Sequence, residues 1–441
     1  MSHANTIVPF MPWLGGVFAF LCVLASLRAG KRRRLVDNLP TSKTTGVFIG
    51  LVELKGAAES AQPLQSFLAG QPCVHYSWTV QEHWSRTVIE TYTDGDGKTQ
   101  TRTRYESGWA TVANGGEMIP FYLQDDCGVV QVQPVGATIE PVTVFNETCG
   151  RGDPLYYDKG PVGSVPDSDH RRQFTETAIP VHQQLYVLGQ ARERTDVVAA
   201  EIAEDKSAPM FLISTRSEEQ ISSGFGWAFW GWGIFGMVLC VAGFVGRDAA
   251  SNLDPSARWP VYLLPVFGYL AACALGWVWM VFNSLIDLRQ RVRQGWAQVE
   301  VQLKRRFDLI PKLVETVKGL RDHENKLQTE LAELRGQMTA TPPGVAGPDY
   351  HACTQMLIAI KEGYPELTAQ ESFTRLQQNL IDTEQRIALA RGYFNEIATF
   401  YNTRLEQVPD RFIAALGHLQ PQPLMLADGF ERAPVEVNFT S

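Results

Sequence analysis

Residues Trp259 to Arg293 read WPVYLLPVFGYLAACALGWVWMVFNSLIDLRQRVR. No charge falls between Arg258 and Asp287, and about 20 apolar residues suffice for a helix to cross a hydrocarbon core of about 30 Å. Past Asp287 the pattern stays helical. Val292, Trp296, Val299, Leu303, Phe307, Ile310, Val314 and Val317 recur at steps of three and four, which draws one apolar stripe along a long helix. Pro311 lies inside that stripe and is expected to interrupt and kink it. The stretch therefore predicts a membrane span over 259–282 that feeds a helical domain over 283–441.

Two more uncharged runs, Ile7 to Leu27 and Gln220 to Gly246, have the same character. They predict an N-terminal anchor within residues 1–30 and a second span over 222–246. Trp227, Trp230, Trp232, Trp259, Tyr262, Trp277 and Trp279 cluster near the run ends, as an aromatic belt does. No Lys or Arg precedes Arg28, so the first run suits a retained anchor better than a cleaved signal.

Basic residues set the expected orientation. Arg28 and Lys31 to Arg34 follow the first run, and Arg289, Arg291 and Arg293 follow the third. Lys and Arg near span ends stay in the cytoplasm. The N-terminus and the 247–258 loop are then outside, and both soluble segments are cytoplasmic.

The remaining composition excludes as much as it offers. The 441 residues are 45% apolar with a net charge of -8, leaving no broad basic field for nucleic acid. Seven Cys include no C-x-x-C pair, so no zinc ribbon is expected and reduced thiols fit a cytoplasmic domain.

Residues 44–218 predict a β-rich domain. Val74, Tyr76, Trp78 and Val80 alternate with polar residues over Cys73 to Trp84. Arg86 to Tyr92 and Gln100 to Tyr105 flank Asp94-Gly95-Asp96-Gly97, a hairpin signal. Ile119 to Leu123 and Val129 to Val132 flank a second turn, Gln184 to Leu188 and Met210 to Ser214 read as later strands, and 149–170 reads as loop. Chemical motifs fail here. Gly97-Lys98-Thr99 lacks the leading glycine of a phosphate loop, Asp94-x-Asp96 lacks the glycine of a calcium loop, and His75, His83, His170 and His182 lack metal spacing. In the second span, Gly231-x-Gly233-x-x-Gly236 has no strand before it, so it reads as helix packing rather than a dinucleotide site.

Gly50-Leu51-Val52-Glu53-Leu54-Lys55-Gly56, Gly70-Gln71-Pro72-Cys73-Val74, Pro120-Phe121-Tyr122-Leu123 with Asp126-Cys127-Gly128, Tyr186-Val187-Leu188-Gly189 and Phe211-Leu212-Ile213-Ser214 resemble the GIDE domain of MULAN-type ubiquitin ligases. Those ligases owe their chemistry to a RING finger of about eight paired Cys and His ligands. This sequence does not supply them, so ligase activity is not implied. MULAN-type domains also face the intermembrane space, whereas the charges here predict a cytoplasmic one.

The C-terminal segment resembles the LemA family in Leu288-Arg289-Gln290-Arg291-Val292, Trp296, Val301 to Pro311, Tyr364-Pro365, Tyr393-Phe394-Asn395 and Tyr401-Asn402. That resemblance implies an anchor running directly into the first helix of a bundle, and no established catalysis. With further helices expected at 349–362, 368–407 and 410–418, the segment predicts an antiparallel four-helix bundle. The tail after Gln420 is expected to be mobile. The fold class is thus a multi-domain α+β membrane protein.

Polar residues on or near the apolar stripes are the site candidates: Asp308, Glu315, Glu384, Arg391, Asn395 and Asn402. No Glu-x-x-His pair accompanies them, so interhelical salt bridges and caps are favoured over a di-metal site. No catalytic, cofactor or metal residue is expected. The function expected is a multi-pass scaffold acting on the lipid bilayer and unknown protein partners, with homo-oligomers possible. Its rivals are an enzyme-associated, ligase-like subunit and membrane remodelling or stress signalling.

Overall fold

The computed structural model describes residues 8–93, 99–194, 199–206, 208–251, 258–318 and 371–425. It forms two compact units, Thr41–Glu218 and a helical unit that joins Met1–Pro40 to Glu219–Ser441. The helices are α1 (Met11–Asp37), α2 (Leu155–Asp158), α3 (Glu218–Ala250), α4 (Trp259–Lys318), α5 (Glu371–Glu406) and α6 (Asp410–Leu416).

The strands of the first unit are β1 (Thr41–Ser42), β2 (Gly50–Glu59), β3 (Leu64–Gln65), β4 (Pro72–Thr93), β5 (Thr99–Met118), β6 (Phe121–Gln124) and β7 (Val129–Val132). They continue with β8 (Thr138–Glu140), β9 (Val142–Gly150), β10 (Ser168–Pro180), β11 (Gln184–Glu193), β12 (Ala200–Ala203) and β13 (Leu212–Ser214). Pairing runs β2–β6–β7–β12–β11 and returns to β2, a closed circuit of strands. Closure removes the exposed edges that an open sheet would present. Inside lie Val52, Leu54, Phe121, Leu123, Val132, Val187, Ile202 and Ile213 among other buried side chains. The β6–β7 turn falls where the sequence signals it.

The second sheet pairs β9, β10, β4 and β5 antiparallel, with β3 at the start of β4. The two stretches read separately as Cys73–Trp84 and Arg86–Tyr92 are one strand, β4. Val74 and Val80 are fully buried on the alternating face. Beyond Trp84, β4 loses β10 and keeps only β5, so Ser85–Thr93 and Thr99–Ser107 make a two-stranded ribbon. At about 3.4 Å per residue it reaches about 30 Å. Its turn, Asp94 to Gly97, lies outside the described residues.

The expected loop 149–170 needs correction, because α2 forms within it. The cause is Arg172, fully buried on β10. Its guanidinium donates to the carbonyls of Tyr156, Pro161 and Gly163 at 2.8, 2.8 and 2.7 Å, and so gathers the loop around one charge. Glu82 balances that charge at 3.0 Å and accepts from Tyr156 Oη and Ser168 Oγ. Burial would raise the Glu82 pKa, but these donors together hold it below the usual carboxylate value.

In the helical unit α1, α3 and α4 are each long and apolar enough to cross a membrane. Ser26 Oγ of α1 donates to the Phe229 carbonyl of α3, and Tyr269 Oη of α4 donates to the Gly233 carbonyl, both at 2.8 Å. Ser222 Oγ reaches Asp37 at one end of the α1–α3 pair, while Gly15 lies against Gly243 at the other, so the two helices are antiparallel. A Cβ added at Gly15 would stand 2.8 Å from the Leu239 carbonyl oxygen, which explains why this crossing needs glycine.

Pro311 does not end the helix: α4 is continuous for 60 residues through it. Trp296 of α4 stacks edge-on with Phe394 of α5, and α6 returns to pack Ile413 and Ala414 on Met280, Val281 and Leu285. α4 and α5 are therefore an antiparallel pair. The expected helix at 349–362, the Thr341 to Pro348 loop and the rest of the expected bundle lie outside the described residues.

Candidate functional site

The candidate site is the face that α5 turns toward the chain's tail. Apolar residues at helical spacing seat α5 on α4: Ile387, Ala390, Phe394, Ile397, Ala398 and Tyr401 are buried. Asn395 and Asn402 sit beside that stripe, half-buried and two helical turns apart. Each side-chain amide makes two hydrogen bonds to one residue of the tail. Asn402 Nδ2 donates to the Gln422 carbonyl and its Oδ1 accepts from the Gln422 N–H, both at 2.8 Å. Asn395 does the same with Met425, again at 2.8 Å each.

The tail after Gln420 lies along α5 as far as Met425, and the rest of the tail expected to be mobile lies outside the described residues. Its proline-rich composition gave that expectation, yet prolines also prevent the segment from meeting its own backbone groups. Those groups are met by the asparagines instead. Val292, Arg293, Trp296 and Phe394 line a cavity of about 280 Å³ that residues 422–425 border, and Met425 is 7% exposed.

Asn395 and Asn402, uncharged members of the polar set for which salt bridges and caps were favoured, hydrogen-bond to the backbone of the tail. Glu384 and Arg391 occupy half-buried positions on the same helix, and Asp308 is exposed on α4. The side chain of Glu315 lies outside the described residues. The structure therefore brings Asn395 and Asn402 together as one device and leaves Asp308 apart from it.

A second feature was not read from the sequence. Arg34, in the basic cluster after the first apolar run, makes a two-pronged ion pair with Asp410 at the start of α6, at 2.7 and 2.9 Å. Both side chains are largely buried, 15% and 4% exposed. Arg404 Nε donates to Asn38 Oδ1 at 2.9 Å beside it. Burial, with the Arg34 charge nearby, lowers the Arg404 pKa from its ordinary value. Only the excess of charge in 31–34 was legible, because its partner lies 376 residues away.

The described residues also bring Asp125, Asp126 and Cys127 within 4.8 Å of one another. Asp125 accepts from Thr44 N and Oγ1 and from the N–H groups of Cys127 and Gly128, and Asp126 pairs with Lys43. These carboxylates clasp the β6–β7 turn.

Comparison with known proteins finds two family matches, one within the helical unit and one that begins inside β4 and crosses from the β unit into α3. Residues 295–439 match the LemA family. Among the described residues, the LemA match covers α4 from Gly295 onward, α5, α6 and the pinned tail. Residues 89–246 match a second family, GIDE, described as E3 ubiquitin ligase. Two magnetosome proteins of Paramagnetospirillum magneticum, MamQ 2 and MamQ 1, are each 21% identical over 190 residues, covering 36% of this chain and 69% of theirs.

Proposed function

We propose that this chain is a three-span membrane scaffold without catalysis of its own. It holds the GIDE-like unit and the LemA-like region on the cytoplasmic face, where each meets protein partners. The observation that carries the reading is the Arg34–Asp410 pair. Arg34 follows the first apolar run directly, and Asp410 belongs to the C-terminal region. Two side chains that pair directly share one side of a bilayer, and the basic residues around Arg34 make that side cytoplasmic. The antiparallel α1–α3 crossing agrees with a chain that enters, leaves and re-enters.

Single cysteines at Arg86 and at Ser441, in a chain whose seven native cysteines are replaced, test the topology. An impermeant maleimide added to intact cells should label neither until the membrane is opened. Labelling of either one in intact cells would overturn it. For the scaffold role, crosslinking in membranes should retain a specific protein partner or a second copy, and recovery of the chain alone would count against it.

A further inference from the structure

The contact between α5 and the tail has the form of peptide recognition. A primary amide sets a carbonyl acceptor beside an NH2 group, so with its oxygen and one of its two N–H donors an asparagine side chain can pair both backbone groups of one extended residue. Asn395 and Asn402 are seven residues apart, about 10.5 Å at 1.5 Å per residue. Gln422 and Met425 are three residues apart, about 9.3 Å at the polyproline rise of about 3.1 Å. A polyproline segment repeats its orientation every three residues. That period suits a segment that turns the backbone of residues 422 and 425 to the same side, as the four hydrogen bonds show, and Pro421 and Pro423 fix φ near the polyproline value at their own positions.

Nothing in this pairing depends on covalent connection to the chain. The four hydrogen bonds read backbone only, and side-chain selection is left to the cavity beside Trp296 and Phe394, where Met425 is buried. We propose that this face of α5 is a binding groove for an extended, proline-spaced peptide with an apolar residue two positions after its second proline. Gln420–Met425 is its resident occupant, and a partner's peptide of the same chemistry binds by displacing it. The inference does not depend on which side of the membrane the groove faces.

The test uses the full chain in detergent micelles and a chain ending at Leu419. The probe is a fluorescein-labelled peptide with the sequence of residues 418–427, HLQPQPLMLA, read by anisotropy. The shortened chain should bind it at least tenfold more tightly than the full chain. A peptide N-methylated at the nitrogens of Gln422 and Met425 loses both donors while becoming more apolar, so micelle partitioning cannot mimic the expected loss of at least tenfold. Asn395→Ala with Asn402→Ala in the shortened chain should lose as much. Equal binding by both chains, equal binding of the methylated peptide, or no binding by a shortened chain of unchanged helix content overturns the proposal. Should shortening cost helix content, hydrogen exchange in the full chain decides. Excess free peptide should speed exchange of the Gln422 and Met425 amides at least tenfold, and unchanged exchange overturns the proposal.

Discussion

Replacing Asp410 by Leu should release α6 locally without unfolding α4. Asp410 is 4% exposed and Arg34 15%, so little water is available to compensate for a lost partner. Removing one member of a buried pair costs about 3–5 kcal/mol, because the other charge stays behind. Here that charge is Arg34, and it already faces Arg404, whose pKa is lowered by burial and by Arg34. The Leu variant therefore belongs within that range, at about 3 kcal/mol. The reverse change, Arg34→Met, should be milder, at about 1–2 kcal/mol. It strands Asp410 in the first turn of α6, where the helix dipole favours a negative charge, and leaves Arg404 close by.

Hydrogen exchange of the α6 amides in lipid nanodiscs reads these costs as opening free energies. A loss of about 3 kcal/mol is about a hundredfold faster exchange, since each 1.4 kcal/mol is tenfold. The double variant should cost less than the sum of the singles, with a coupling of about 2 kcal/mol. Additivity within about 0.5 kcal/mol would show that the two side chains do not interact. That outcome would remove both the staple and the argument that they lie on one side of the bilayer.

Other expectations follow from the remaining packing. Arg172→Met should destabilise the β unit by about 3–5 kcal/mol, because Glu82 and three carbonyls lose their donor; chemical denaturation followed by tryptophan fluorescence measures it. The Glu82 pKa is held below its unfolded value, so its contribution is complete above about pH 4.3 and is lost as pH falls through the lower folded value. Acid titration of wild type and Glu82→Gln should show a shallower decline below about pH 4 in the variant. Gly15→Leu should destabilise the α1–α3 crossing by about 1–3 kcal/mol, since its Cβ would meet backbone that cannot rotate away. Gly16→Leu, with nothing within 4 Å of its Cβ, should be neutral when both are measured by unfolding in mixed micelles.

What the sequence made legible follows from the range of each signal. The apolar runs, the β6–β7 turn and the 3.6-residue stripe are all local patterns, and the structure has the runs as helices, the turn, and the stripe at Val292 and Val299 of α4 and from Ile387 to Tyr401 of α5. The closed circuit of β2, β6, β7, β12 and β11 was not legible, because β2 pairs with β11 across about 130 residues and no local pattern encodes that partner. Pro311 does not break the helix, which runs through it to Lys318. A proline costs one hydrogen bond and some crowding, which a long helix can absorb without ending. Asn395 and Asn402 were visible as polar residues near an apolar face, but their partners sit in a segment whose prolines signalled only an absence of regular structure.

The position of the groove along α4 narrows what it can receive. The uncharged part of α4 ends at Asp287, and Trp296, which lines the groove, comes nine residues later. At 1.5 Å per residue that is about 14 Å, within the first few layers of headgroup and water beyond a hydrocarbon core. α6 fills the space nearer still, packed on Met280, Val281 and Leu285. The Arg34–Asp410 pair fixes α6 to the end of α1, so the groove cannot swing away from the bilayer without breaking a buried ion pair. A peptide that displaces Gln420–Met425 must therefore come from a segment able to lie close to the membrane surface, such as the stretch next to another protein's span. A soluble partner with a proline-spaced motif far from the bilayer would have the right backbone but the wrong reach. Moving the motif away from a transmembrane anchor by a long flexible linker should thus weaken co-capture in membranes, while the free peptide binds in micelles as before.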